Sequence, residues 1–406
     1  MATIRYFCKT ERYLSDQRCV MKMVGDVAVV VGGGLNALGV LRSLACGSIR
    51  TVVIDTDKNS PAMRSRFGEK RLVASLEGRT VIEAINGVAA ENEGKIVLLL
   101  TEEKTVSTVS DQRKLLAGNI LVRFPDKYLL AQLMHKRGFQ ELAEKLNCPV
   151  PKTRNVTCVE DLDNLSDLQY PCIFKPSFKL QEYGEKFKKA YKVNSISEIR
   201  DLYSEIAVVQ KDMVVQEWIE GDDSDLYFCM QYIGDRGELV ASFVGRKLSS
   251  WPPLVGGTAS CCAEFEYEDE LNRLTLDFFR NVEFSGLCSM EYKRDKKRNK
   301  FYMVEPTVGR TDFQEEVSTL NGRNIPLAAY CYELGLNRPV SAKPRQNVIW
   351  RDKYLEKWAA EETGNEVSRS CKTHRVVDAY WRWRDPVPWL DLMTSKIVAK
   401  AKSISR

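Results

Sequence analysis

The 406-residue chain is 44% apolar and 28% charged, the balance of an ordinary globular protein with room for two or three packed units. Sixty basic residues against 55 acidic ones leave a formal charge of +5, too mild to imply nucleic acid by itself, and no apolar run reaches the roughly 18 to 20 residues of a membrane helix. Twelve cysteines without a CxxC pair read as reduced thiols in a cytoplasm, and only His135 and His374 are available for zinc or for a Ser-His-Asp triad.

Residues 1–23 lack the apolar core of a secretion signal and read as an N-terminal extension. The segment 27–67 then reads as strand, glycine-rich turn, helix and strand. Val27 to Val31 and "TVVID" are continuous apolar runs suited to parallel strands buried on both faces, and Leu38, Leu41 and Leu44 recur at helical spacing. "GKIVLLLTEE" (94–103) is a third strand. The turn "GGGLNA" (32–37) fits G-x-G-x-x-A, with Asp55 ending the next strand, so a nicotinamide dinucleotide site is one reading of this unit. The bland alternative is a tight turn that simply favours glycine.

From Asp126, a good N-cap, to Leu146 the pattern is one amphipathic helix, with His135 as a surface or packing residue inside it and "CPVP" as its stop. Lys127 opens this helix, at the end where the dipole disfavours a cation. "YPCIFKPSF" (170–178) is a short strand ending on Lys175, which either snorkels to solvent or faces a ligand. The lysine-rich stretch that follows is either a solvated loop or, over 177–190, a lid over phosphates. "VVQEWIEGDDSD" (214–225) runs a strand into Glu217, Trp218 and Ile219 and then an acidic turn. Such an edge suits adenine, with an acid beyond it for ribose hydroxyls; its plain reading is a surface turn.

Further strands are expected at "GELVASFVGRKL", "LCSMEYKR" and "KFYMVEP", with a Trp-rich tail from about 341 in which Trp381, Trp383 and Trp389 read first as packing residues, a dimer contact or a substrate wall being the alternatives. The last two strands form a hairpin that turns in "RDKKRN". Centred on Arg298, it places Glu291 opposite Glu305 on one face, with Cβ atoms about 4.5 to 5.5 Å apart. Two bare carboxylates that close repel each other. A divalent cation between them, such as Mg²⁺ with its taste for one or two carboxylates plus phosphates, makes the pair reasonable; solvated acids in another register are the alternative.

The ordered series, a lysine opening a helix, K-P ending a strand, "EWIEG", "GRK", "MEY" and "VEPTVGR", resembles the ATP-grasp superfamily. "NALGVLRSL…SRF" looks like its carboxylate–amine ligase branch, which includes D-aspartate ligase. The resemblance covers roughly 25–340. It implies α/β and α+β architecture: a Rossmann-like preATP-grasp domain at 24–120 and a two-lobed ATP-grasp fold with antiparallel sheets, its small lobe at 121–212 and its large lobe at 213–340, before the Trp-rich segment 341–406. It implies that Lys127 and Lys175 hold ATP phosphates, Glu217, Trp218 and Ile219 bind adenine, and Asp223 or Asp225 takes ribose. Glu291 and Glu305 would hold Mg²⁺ or Mn²⁺, with Thr307 in the place of the family's Asn ligand. Arg310, further along than the family's Arg, would bind the substrate carboxylate or the transferred phosphoryl group, with Arg246 and Lys247 neutralising charge. The implied chemistry is ATP-dependent: a carboxylate becomes an acyl phosphate and an amine displaces phosphate. The resemblance further implies small-molecule substrates, free or carrier-bound, and pairing as a homodimer by family habit, without nucleic acid or membrane. The rivals are an NAD(P)-dependent oxidoreductase using the "GGGLNA" turn and a non-catalytic ATP-binding protein.

Overall fold

A computed structural model describes residues 25–178, 180–337, 339, 347–364 and 374–394. The extension 1–23 and the stretch 340–346 lie outside the described residues. Three sheets organise the chain. The first is parallel, in the order β3-β2-β1-β4-β5, from β1 (Val27–Val31), β2 (Thr51–Asp55), β3 (Glu69–Leu72), β4 (Ile96–Leu100) and β5 (Ile120–Leu121). The apolar runs explain it: β1, β2 and β4 are buried at every position, as strands covered on both faces must be. Strand alternation sorts them. Val27, Val29 and Val31 pack with Val81, Ile82 and Ile85 of the helix Gly78–Ala90 on one face. Ala28 and Val30 pack with Leu38, Leu41 and Leu44 of the helix Leu35–Cys46 on the other.

The second sheet is antiparallel, in the order β6-β9-β7-β8, from β6 (Thr153–Val156), β7 (Cys172–Pro176), β8 (Tyr191–Val193) and β9 (Met213–Glu217). It carries its own core around Phe174, Tyr183, Tyr203 and Val215. The third sheet has the order β14-β13-β10-β11-β12-β15-β16, from β10 (Leu226–Ile233), β11 (Leu239–Trp251), β12 (Gly257–Ala263), β13 (Gly286–Asp295), β14 (Lys300–Val308), β15 (Val348–Arg351) and β16 (Arg375–Asp378). Its pairings are antiparallel except β15 with β16. Phe228, Met230 and Trp350 of this sheet share a cluster with Leu38 and Val30, so the first and third sheets close one continuous core.

Three features depart from the sequence reading. β12, "GTASCCA", is an additional strand, and its buried Cys261 and Cys262 are packing residues. The tail is more than an appendage, because β15 and β16 extend the large sheet. Its Asp385 is fully buried, accepting from Arg42 Nε at 3.1 Å, Ser65 Oγ at 2.9 Å and the Arg66 amide at 2.8 Å. Finally, the single helix expected over 126–146 is two, Lys127–Met134 and Lys136–Lys145, with His135 extended between them at φ −96° and ψ 124°. Gly138 permits the tight break, since a Cβ there would overlap the Gln132 carbonyl, and the His135 ring settles 5.9 Å from that of Phe178.

Candidate active site

The second and third sheets face each other across a cavity of about 520 Å³. Its floor is the β13–β14 hairpin, whose turn falls where the charged stretch places it, with Asn299 at φ +47°. Glu291 pairs directly with Glu305, and Ser289 with Thr307. One residue, Val304, is bulged, so that Tyr292 pairs with Met303 and the turn is one step off the symmetric hairpin. Residues two apart share a face, so Glu305 brings Thr307 with it, and Glu291 brings Ser289 and Lys293; all five line the cavity.

The charges around this pair are basic. Lys247 of β11 is 4% exposed, with Nζ 2.6 Å from Glu291 Oε2. Lys136, delivered by the break at His135, has Nζ 4.0 Å from Glu305 Oε1. Lys175 donates to Gln216 Oε1 at 3.1 Å, and Lys189 stands on the wall beyond. Enclosure alone would raise the Glu305 carboxyl; the ammoniums of Lys136, Lys175, Lys189 and Lys247 outweigh it and hold the group below the ordinary carboxylate range. Burial pushes the Lys175 ammonium down to about 8, helped by Lys136 and Lys189 and opposed by Glu305 and Glu291. The part of the cavity around Glu305 is therefore rich in ammonium groups, a setting chemically suited to a polyanion such as phosphate.

Arg310 also lines the cavity, with one nitrogen 3.0 Å from Glu103 Oε1 and another donating to the Thr311 carbonyl at 3.1 Å. Gly309 precedes it at φ +70°, where a Cβ would approach Val106 Cγ1 to 2.8 Å, which accounts for glycine at that position. Asp312, absent from the sequence reading, is a further acid on the cavity wall. Burial raises its carboxyl, against the lowering effects of Arg310 and of hydrogen bonds with Ser289 and Thr307.

Not every expected residue reaches the cavity. Arg246 and Lys247 are neighbours on a strand and point to opposite faces, so Lys247 enters and Arg246 turns away to Glu264, 3.4 Å distant. Lys127 is exposed at its helix start, its ammonium 5.1 Å over the Tyr128 ring and outside the lining. Asp223 accepts from the Ser250 and Leu254 amides, both at 2.8 Å, and Asp225 is buried against Lys296 at 2.7 Å. Both acids shape the turn, and neither lines the cavity. Glu217, Trp218 and Ile219 do line it. The Glu217 carboxylate accepts from the Gln169 amide at 2.9 Å, and Lys192 sits 4.9 Å over the Trp218 ring. Lys293 Nζ donates to the Gly221 and Asp222 carbonyls at 2.9 and 2.7 Å, tying this turn to the floor. The lysine-rich stretch contains a short helix, Gln181–Lys186, pinned by buried Tyr183, whose hydroxyl donates to the Lys188 carbonyl at 2.9 Å; Gly184, Phe187 and Lys189 form its cavity side.

The glycine-rich turn is filled by the protein itself. A Cβ on Gly33 would overlap the Asp55 carboxylate and the Ser60 hydroxyl, so Asp55 packs against the turn instead of waiting for a ribose. Glu315 is 1% exposed, accepting from Ser318 Oγ at 3.0 Å. Burial, with the nearby Asp312 charge, raises it to about 8. In the unfolded chain this carboxyl ionises near its ordinary value, so between about 4.5 and 8 the folded state binds more protons and stability falls as pH rises. The melting temperature is expected to drop over that window, and Glu315→Gln to flatten the drop; an unchanged slope in melts at pH 5 to 8 would remove the assignment.

No protein-family model matches the chain. A D-aspartate ligase from Enterococcus faecium is 22% identical over 317 residues, 74% of each chain. Among solved structures, N5-carboxyaminoimidazole synthetase from Staphylococcus aureus, complexed with ADP, superimposes with a TM-score of 0.65 at 14% identity, covering 86% of this chain and 87% of that one. The biotin carboxylase domain dimer of the Hydrogenobacter thermophilus 2-oxoglutarate carboxylase, complexed with MgADP, gives 0.60 at 16% identity, over 79% and 73%. With its parallel N-terminal sheet and two facing, mainly antiparallel sheets, the chain has the ATP-grasp fold and is similar to the carboxylate–amine ligases that share it.

Proposed function

We propose that the protein is an ATP-dependent ligase that activates a carboxylate as an acyl phosphate and joins it to an amine, releasing ADP and phosphate. The observation that carries this reading is the pairing of Glu291 with Glu305 on the floor of a cavity whose remaining wall charges are dominated by Lys136, Lys175, Lys189, Lys247 and Arg310. Trp218, Ile219 and Phe228 give the same cavity an apolar end suited to adenine. The nucleotide would lie along it, its base at the β9 exit and its phosphates among the lysines. The D-aspartate ligase relative and the ADP-bound structural neighbours support this orientation toward ligation.

The donor set fits a hard cation. Glu291 and Glu305 supply two carboxylates, with the Thr307 hydroxyl on the same face. Among the described residues no group of three or more His, Cys, Asp or Glu has metal-holding geometry, so phosphate oxygens would complete the shell, the usual arrangement for Mg²⁺ and open to Mn²⁺. Held there, the cation would neutralise charge on the phosphates. Lys175 and Lys136 bind and orient the phosphoryl groups, and Arg310 holds the carboxylate in line with the terminal phosphorus. The carboxylate oxygen forms the new P–O bond as the bond to ADP breaks. The amine nitrogen then attacks the acyl carbon, the C–O bond to phosphate breaks, and the nitrogen gives up one proton to the departing phosphate or to solvent. Such transfer depends on positioning and electrostatics more than on covalent help from the protein.

The substrates in this reading are small acids and amines, free or carrier-bound. A homodimer and a cytoplasmic location belong to the same proposal: the biotin carboxylase domain is a dimer, nine cysteines among the described residues are thiols, and no described helix is long and apolar enough to cross a membrane. The test is a thermal shift with ATP or ADP plus Mg²⁺, beside NAD⁺ and NADP⁺. Ligand at about 100 times its dissociation constant adds roughly 2.7 kcal/mol, several degrees. A Mg²⁺-dependent shift with adenine nucleotide is expected, followed by carboxylate-dependent phosphate release and a hydroxamate when hydroxylamine replaces the amine. A shift with NAD⁺ alone would overturn the reading.

A further inference from the structure

The "GGGLNA" turn binds no nucleotide in this reading, yet it is built with care. Asn36, in the first turn of the helix Leu35–Cys46, is 7% exposed and 275 positions before the residue it touches. Its amide nitrogen donates to the Thr101 carbonyl at 3.0 Å and to the Thr311 carbonyl at 2.7 Å. Its amide oxygen accepts from Thr311 Oγ1 at 2.5 Å. Both donors and the acceptor of the side chain are therefore spent on two neighbours. The site is the end of the parallel sheet beside β1 and β4, where the strand order reverses and open α/β folds usually hold a ligand.

The Thr311 carbonyl has a second donor, the Arg310 guanidinium, at 3.1 Å. One oxygen thus joins the Asn36 amide to the arginine that lines the cavity. The backbone on either side is fixed as well. The Gly309 amide donates to the Leu287 carbonyl at 2.8 Å, and the Thr311 amide to the Leu100 carbonyl at 3.3 Å. The other arm of the guanidinium meets Glu103, which opens the helix Glu103–Asp111 of the same N-terminal unit. Apart from Leu287 of β13 and the adjoining Thr311, these partners of the Arg310 segment, Asn36, Leu100, Thr101 and Glu103, all come from residues 25–120.

We infer that Asn36 is a positioning residue for Arg310, and that the N-terminal unit has turned its ligand-binding edge into a template that aims the substrate-binding arginine. This rests on the ligase reading given above. A template of this kind acts on the carboxylate and leaves nucleotide binding alone, because the lysines and the β9 exit lie on other elements. Misplacing a guanidinium by a fraction of an ångström to an ångström costs on the order of 10- to 100-fold in reactions that depend on alignment.

The test is steady-state kinetics with ATP and carboxylate varied separately, on Thr311→Val, Thr311→Ser and Asn36→Asp. Thr311→Val removes only the hydroxyl bond to Asn36 at nearly constant shape, and Thr311→Ser restores it. Asn36→Asp sets a carboxylate against two buried carbonyls and is the harsher change. For Thr311→Val the KM for the carboxylate is expected to rise about tenfold, with the KM for ATP within about twofold of wild type, and Thr311→Ser to return to wild type. Asn36→Asp, where it folds, should show the same split more strongly. A lowered melting temperature with both KM values unchanged would make Asn36 a purely structural residue and overturn the inference, leaving the ligase reading intact. Absence of carboxylate-dependent phosphate release in the wild-type protein would overturn both.

Discussion

Glu305→Gln is expected to lower carboxylate-dependent phosphate release by about a thousandfold or more while the protein stays folded. Glu305 is half-exposed to the cavity, with Lys136 at 4.0 Å as its ion-pair partner, so its replacement by an isosteric amide leaves no stranded buried partner. What disappears is one of two facing carboxylates, with the negative charge that the four surrounding lysines hold ionised; the amide oxygen left behind is a neutral and weaker donor. Glu291→Gln should be equally inactive but less stable. Lys247, 4% exposed, would lose a carboxylate 2.6 Å away and keep its charge in a dry place, at a cost of about 1–3 kcal/mol or more. Turnover and thermal melts on the two variants together separate the roles. A Glu305→Gln protein with near-wild-type turnover would sink the metal assignment.

Lys175→Met is expected to raise the KM for ATP about 10- to 100-fold, the worth of one or two charge-assisted hydrogen bonds, with little loss of stability. The lysine sits at the end of β7 with its ammonium pushed down to about 8 by burial. Phosphate affinity of the wild-type protein should therefore weaken as pH rises through about 8 and the proton is lost, and in the variant that dependence should vanish. The stability sign runs the other way. With the folded value below the unfolded one, the unfolded chain binds more protons between about 8 and 10.5, so wild-type stability rises with pH across that window and Lys175→Met lacks the rise. A variant with unchanged KM for ATP and an unchanged pH profile would place the phosphates elsewhere.

Much of this molecule was readable in one dimension. Continuous apolar runs at Val27 to Val31, Thr51 to Asp55 and Ile96 to Leu100 are strands because only a doubly covered parallel sheet buries every position. A charged turn and a period of two were enough to face Glu291 with Glu305, since register in a hairpin is local; even the Val304 bulge left that pair opposed. The same period separates Arg246 from Lys247 and places Lys293 beside Glu291. These consequences of alternation follow from the strand alone.

Other features were decided only by contacts between distant segments. Lys136 enters the cavity because the helix breaks at His135, and helical periodicity continues straight through that point; the break depends on Gly138 passing the Gln132 carbonyl. Asp312 follows the end of β14, where no period relates a residue number to a direction. Asp223 and Asp225 look like ligands in the sequence, and the Ser250 and Leu254 amides and Lys296 that occupy them come from other elements of the chain. The turn "GGGLNA" is the sharpest case. Its glycines and Asp55 match a dinucleotide site, and whether such a turn stays open depends on what fills it. Here Asp55 and Ser60 abut Gly33, and Thr311 reaches Asn36 across 275 positions. Local sequence specifies the turn because turn geometry is a short-range property of the backbone, whereas its occupant is chosen by packing, which only the folded chain brings together.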